Sequence, residues 1–510
     1  MKNYLLSFFL YFTVFVNAQN PIVGTSNGKI QGITSTDKTV RIFKGIPFAA
    51  APIDDLRWKG PQPVQNWKGI KQCKTFSASP MQNKPQPFYC WSEEFIAQAE
   101  PIKEDCLYLN VWTTAKAKSK KQPVFVWIYG GGLKSGSANC AIYDGEEMAK
   151  KGVIFVSLNY RVGVFGFMAH PELSKESGHQ ASGNYGFLDQ IAALKWVQKS
   201  IAAFGGDPNN VTIAGQSAGA FSVTALIASP FAKGLFHKAI AQSGGLFSNM
   251  LNQNLRKSEE QGVVFMKKAN TKSLAELRKK SAEELQILSN ELEVGRFGTT
   301  MDGYVLPINL LEHFKKGLHN QTPILTGWVT GDGSFMGDSD MSVEDYKKEA
   351  QAKYGDKADA FLSIFPAATA EEVKTVKQKL TLLGFAGEPA HLLASFNAKA
   401  SYLYEFGHVA PDKPSFPNYG AFHTSEVPYV LHNLHTWNRP WQPLDKELEN
   451  IFSSYWVNFA KTGNPNGGNL PEWKSYDKQS GIIMVVADKM ESKSGFLKKE
   501  FDFLEKNESN

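Results

Sequence analysis

Continuous apolar runs, not alternating ones, mark the strands of this chain. Val124 to Tyr129 is apolar throughout and stops at Gly130-Gly131-Gly132, the pattern of a strand buried on both faces and ended by a glycine turn. Val153 to Val156 and Val211 to Ala214 read the same way, and Ala239 to Ala241, Ile324 to Leu325, Tyr402 to Tyr404 and Ile482 to Val486 are further strand candidates. Leu188, Ile191, Leu194, Val197 and Ile201 recur every three or four residues, which predicts an amphipathic helix. A second helix is expected from Phe221 to Ala228, directly after a tight turn. Strands alternating with helices predict an α/β fold with a mostly parallel, doubly wound sheet and helices on both faces. The Lys-, Glu-, Leu- and Ala-rich stretch from Leu251 to Leu292 has helical spacing and no strong strand signal, so it is expected to form a helical cap or gorge wall over the sheet.

Composition narrows the class without changing this picture. The chain of 510 residues is 42% hydrophobic and 20% charged, with no repeat, low-complexity tract or Pro-rich linker to divide it. A single domain over 19–510 is the simplest reading. Residues 1–18 combine Lys2, an apolar run from Leu5 to Val16 and a small-residue end at Ala18, the composition of a signal peptide. That run falls short of the ~20 residues a membrane span needs, so a secreted or periplasmic protein is expected, with no integral membrane segment in the mature chain. The net charge of +6 is small, and its Lys and Arg residues form no aromatic-interleaved stripe, so no nucleic-acid partner is implied. In an oxidising compartment Cys73, Cys90, Cys106 and Cys140 allow up to two disulfides in three pairings, and one bridge among the first three is expected.

The chemistry concentrates at Gly215-Gln216-Ser217-Ala218-Gly219, with a strand before it and a helix after it. A nucleophilic serine must expose its Oγ on a sharp turn, and flanking glycines let strand and helix close around that turn. An acyl-transfer oxyanion also needs preorganised donors. Gly131 and Gly132, ending the Val124 strand, can present bare backbone N–H groups, joined by the N–H of Ala218 after the nucleophile. No G-K-[ST] follows the glycine run, which disfavours a phosphate-cradling loop.

With these residues in hand, Phe204-Gly-Gly-Asp-Pro-Asn-Asn-Val-Thr-Ile-Ala-Gly-Gln-Ser-Ala-Gly219 resembles the nucleophile signature of the type-B carboxylesterases, the family of cholinesterases and para-nitrobenzyl esterases. Glu104-Asp-Cys-Leu-Tyr-Leu-Asn-Val111 and Ser182-Gly-Asn-Tyr-Gly-Phe-Leu-Asp-Gln190 are similar to other segments of that family, and the likeness runs from about Val23 to Pro465 and Trp473. It implies an α/β-hydrolase fold and a serine carboxylesterase acting on small-molecule esters through an acyl-enzyme, with no metal or organic cofactor. The family's acid position falls on Asp332, before Gly333-Ser334, where many relatives carry Glu; Asp338 and Asp340 are the fallback acids. The segment Ala421-Phe-His-Thr-Ser-Glu-Val-Pro-Tyr429 resembles the one bearing the base, which selects His423. Ser243 and Glu426 fall at positions the resemblance places near base and acid, whereas His170 and His237 fit packing or surface positions.

The sequence departs from the cholinesterases at Gln216, where they carry Glu. A cationic choline ester is therefore disfavoured and neutral esters are expected. Trp91, Phe221, Phe247 and Phe335 are aromatic candidates with no assignable pocket. Some relatives of this fold lack the nucleophile and serve in adhesion, so a non-catalytic binding protein is the alternative; lipase, amidase or lactonase action would be variants of the same mechanism.

Overall fold

The computed structural model describes residues 20–115, 121–248, 252–291, 294–337, 340–413 and 417–507. The expected signal segment and the fallback acid Asp338 lie outside the described residues. The main sheet is built from strands β1 (Ile33–Thr34), β2 (Arg41–Pro47), β3 (Tyr108–Thr113), β4 (Gln122–Ile128), β5 (Ile154–Leu158), β6 (Gly206–Gln216), β7 (Lys238–Gln242), β8 (Ile324–Val329), β9 (Ser401–Phe406), β10 (Ile483–Val486) and β11 (Met490–Lys493). Their order across the sheet is β1-β2-β3-β5-β4-β6-β7-β8-β9-β10-β11. From β5 through β10 every neighbour is parallel, while β1, β2, β3 and β11 pair antiparallel at the two edges.

The apolar runs account for the centre. Val124 to Ile128 on β4 and Ile154, Phe155, Val156 and Leu158 on β5 are fully buried, because helices cover both sheet faces. Helix α1 (Tyr185–Ser200) turns Ile191, Leu194 and Val197 inward, as their spacing requires. Helix α2 (Ala218–Ala228) is buried along its whole length, which matches a segment apolar on every side. No described helix is long and apolar enough to cross a membrane. The edge strands β1 to β3 were not expected; they are short or mix polar residues with apolar ones, so no continuous run announces them.

The stretch after Leu251 folds into helices Leu255–Lys268, Leu274–Arg278 and Ala282–Leu288, as its spacing predicts. Side chains anchor it: Arg57 donates to the carbonyls of Arg278 and Lys280, and Gln286 donates to Asn83. The expected disulfide is not formed, since all four cysteines are free and buried. Two of the thiols have local partners: Cys140 Sγ donates to the Glu94 carbonyl at 3.2 Å, and Cys73 Sγ points at the Gly45 carbonyl. Burial pushes the Cys73 thiol up to about 11 and that of Cys90 up to about 12, which keeps them protonated and weakly reactive.

Helix α1 is fixed to the turn after β5 by a buried ion pair. Arg161 Nε and Nη2 donate to the two carboxylate oxygens of Asp189 at 2.8 and 2.7 Å, and the Arg161 backbone N–H adds a third bond at 3.0 Å. Removing one partner strands the other charge in the interior. Asp189→Asn is expected to destabilise the fold by about 3–5 kcal/mol, read as a lowered urea midpoint. A loss within the ~0.5 kcal/mol typical of surface substitutions would show that this pair does not hold the helix.

Candidate active site

The site is assembled at the carboxyl ends of the parallel strands, where ligands bind in open α/β sheets. Strand β6 ends at Gln216 and helix α2 starts at Ala218, leaving Ser217 alone to reverse the chain at φ 58°, ψ −124°. An L-residue adopts that conformation at a cost of about 1–3 kcal/mol, so its surroundings must impose it. They do. A Cβ on Gly219 would lie 2.1 Å from the Ile128 carbonyl oxygen, so only glycine lets α2 begin this close to the end of β4. The Ser217 N–H donates to the Gln242 carbonyl at 2.9 Å, and the Ser217 carbonyl accepts from Ala220 and Phe221. The backbone of the serine is thus fully engaged, while its hydroxyl makes no hydrogen bond among the described residues and is only half-buried.

The glycine loop after β4 runs beside this turn. A Cβ on Gly130 would come within 3.0 Å of the Ser217 Cβ. Gly131 and Gly132 follow at φ 106° and φ 63°, and the Gly131 carbonyl turns back to accept from Lys134 and Ser135 at 3.1 and 3.0 Å. Among the described residues, the N–H groups of Gly131 and Gly132 have no partner. Ala218 is the first residue of α2.

Asp332 and His423 come together from loops 91 residues apart. Gly331 forms a parallel bridge with Phe422, and its N–H donates to the Ala421 carbonyl at 3.0 Å, which locks the two loops side by side. His423 Nδ1 lies 2.5 Å from Asp332 Oδ1, and Asp332 Oδ2 accepts from the Val329 N–H at 3.0 Å. Each residue is 3% exposed. The carboxylate fixes the proton on Nδ1 and leaves the Nε2 lone pair free to accept. Asp340, a fallback acid, is exposed.

Among the described residues no hydrogen bond joins His423 to Ser217; the Gln216 amide nitrogen lies 3.1 Å from Nε2 and 3.4 Å from Nδ1, against the face of the imidazole. Gln216 Oε1 accepts from Thr424 Oγ1 at 3.4 Å, and Thr424 Oγ1 accepts from Trp91 Nε1 at 3.1 Å. Trp91 and Phe335 pack their rings 6.1 and 5.1 Å from the imidazole, and Phe385 joins them at 5.2 Å. Phe385 rides on a π-helical turn, Leu383–Gly387, and nothing in its local pattern singles it out. Phe221 and Phe247 belong elsewhere, the first within α2 and the second against Phe314. His170 and His237 accept backbone N–H groups of Glu172 and Val211, as structural residues do.

Behind the imidazole lies a buried acid. Glu426 accepts from Tyr404 Oη at 2.7 Å and from Gln242 Nε2 at 3.1 Å, and Trp456 in turn donates to Gln242 at 3.0 Å. Complete burial outweighs these bonds and pushes the Glu426 carboxyl up to about 8. Ser243, also completely buried, ends the adjoining strand at φ 53°.

Comparison with known proteins identifies the family. The sequence pattern of the carboxylesterase family matches residues 19–504. The chain is 34% identical to the fumonisin B1 esterase of Sphingopyxis macrogoltabida, covering 92% of this chain and 87% of that one. It is also 34% identical to the para-nitrobenzyl esterase of Bacillus subtilis (strain 168), over 91% and 94% of the two chains. Rat carboxylesterase 1C (Rattus norvegicus) is 31% identical over 92% of this chain and 90% of its own length. A solved PNB esterase superposes with a TM-score of 0.81 at 30% identity, covering 95% of this chain and 99% of that one. The chain therefore belongs to the carboxylesterase family, and it is a carboxyl-ester hydrolase of the α/β-hydrolase fold.

Proposed function

We propose that this protein is an exported serine esterase that works through an acyl-enzyme, with Ser217 as nucleophile, His423 as base and Asp332 as the acid that orients it. The reading is carried by the 2.5 Å contact that clamps His423 to Asp332 beside a serine on a strained turn. We further propose that residues 19–510 form one catalytic domain and that residues 1–18 are a signal peptide removed on export.

In the reaction the Nε2 lone pair of His423 takes up the serine hydroxyl. Ser217 Oγ attacks the ester carbonyl as its proton passes to Nε2, and Asp332 stabilises the resulting imidazolium. The carbonyl oxygen becomes an oxyanion received by the N–H groups of Gly131, Gly132 and Ala218; one such donor is worth roughly 10²–10³ in rate. Collapse breaks the ester bond, and the alcohol leaves with the proton from Nε2. Water then repeats the sequence: His423 takes its proton, the hydroxide adds to the acyl carbon, and the acid departs as Ser217 recovers its proton.

Hydrolysis of p-nitrophenyl esters of graded acyl length tests the assignment. Ser217→Ala is expected to lower kcat by roughly 10⁶-fold and Asp332→Asn by about 10⁴-fold, with circular dichroism unchanged. Turnover retained in folded Ser217→Ala would end this reading. For export, mass spectrometry of the mature protein should find a chain starting after Ala18.

Glu426 gives a pH signature. Its raised pKa means the folded state holds a proton that the unfolded chain releases above the usual carboxyl range near 4.5. Its contribution to stability is full below that range and is lost as pH rises to about 8. Thermal unfolding should therefore show a melting temperature that falls across this window in the wild type and stays flatter in Glu426→Gln. Equal slopes would place the proton elsewhere.

A further inference from the structure

We infer that this esterase is built for esters that carry a free carboxylate, and that Arg296 is the residue that selects them; the inference rests on the esterase reading above and names its substrate class. Arg296 comes from the stretch after the cap helices and reaches the glycine loop, where its Nη2 donates to the Gly132 carbonyl at 2.6 Å. A Cβ on Gly132 would lie 2.2 Å from that nitrogen, so the guanidinium lies directly on the face of the loop that glycine leaves open. Two residues earlier, the same loop packs against Ser217. The cation thus sits at the rim of the space that a bound ester carbonyl must enter.

Arg57, Arg161, Arg256 and Arg278 are each paired with a carboxylate, on Glu104, Asp189, Glu260 and Glu176 respectively, and Arg41 spends its guanidinium on the carbonyls of Ala115 and Phe204. Arg296 has no acidic partner among the described residues. Only desolvation against the loop acts on it, lowering its pKa without an opposing carboxylate, and a guanidinium stays charged under that perturbation. One of its N–H donors is held by Gly132, while the side chain as a whole remains exposed. The remaining donors form a planar fork of the kind that binds a carboxylate through two parallel hydrogen bonds.

The rest of the site does not cancel this cation. Gln216, at the elbow, is neutral, and Asp332 is buried behind His423 with both oxygens engaged. A second carboxylate on the substrate would meet a fixed, partly desolvated guanidinium at the loop that receives its carbonyl. That carboxylate can belong to the acyl part, as in a half-ester of a dicarboxylic acid, or to the alcohol part, as in an acylated hydroxy acid. Both present the same chemistry to Arg296.

Two matched ester pairs test the inference with the purified mature protein: monoethyl adipate against ethyl hexanoate, and 4-acetoxybutanoate against butyl acetate. Wild type is expected to favour the carboxylated member of at least one pair by about 10–100-fold in kcat/KM, the range of a charge-assisted bidentate contact, and the favoured pair identifies the side that carries the carboxylate. Arg296→Ala should abolish that preference while changing the neutral ester less than about threefold, and Arg296→Lys should restore part of it. The KM of the carboxylated ester should rise with salt, and that of the neutral ester should not. Equal losses on charged and neutral esters in Arg296→Ala would mean that the residue only braces the Gly132 loop, which overturns the inference, as would a wild type indifferent to charge in both pairs. Failure of the esterase reading looks different: Ser217→Ala would then hydrolyse both members as well as wild type.

Discussion

Helix α2 begins so close to the end of β4 that a methyl group on Gly219 would lie 2.1 Å from the Ile128 carbonyl oxygen. The rest of the site depends on that approach. It forces the reversal onto Ser217 alone, in a backbone conformation an L-residue rarely takes, and so lifts the side chain out of the turn while the backbone N–H and carbonyl are absorbed by Gln242 and by α2. The same closeness brings the glycine loop, which continues β4, alongside the serine. The turn at Ser217 and the course of the glycine loop are therefore set by one steric contact between two buried elements, and the fully buried sheet centre supplies the rigidity that holds it.

Local features were legible in the sequence. The strands that feed the site are continuous apolar runs, helix α1 has a clear period, and Gly-x-Ser-x-Gly specifies its own turn, so β4, β5, β6, α1 and α2 follow from spacing alone. Asp332 and His423 do not. They are joined by a bridge between Gly331 and Phe422, and no local pattern reports a pairing across that distance. Only resemblance to a family located them. The same limit explains the cysteines: composition and compartment made a bridge reasonable, but each thiol is buried with its own neighbours. Arg296 is the extreme case, since an arginine in a loop acquires meaning only from the loop it touches.

Polar contacts converge on His423: Trp91 donates to Thr424 and Thr424 to Gln216, whose amide rests against the ring face, while Asp332 holds Nδ1. The Asp332 contact orients the ring through Nδ1 and leaves Nε2 as the nitrogen not engaged by a carboxylate. The neutral amide at position 216 thus covers one face of the imidazole without placing a negative charge beside it.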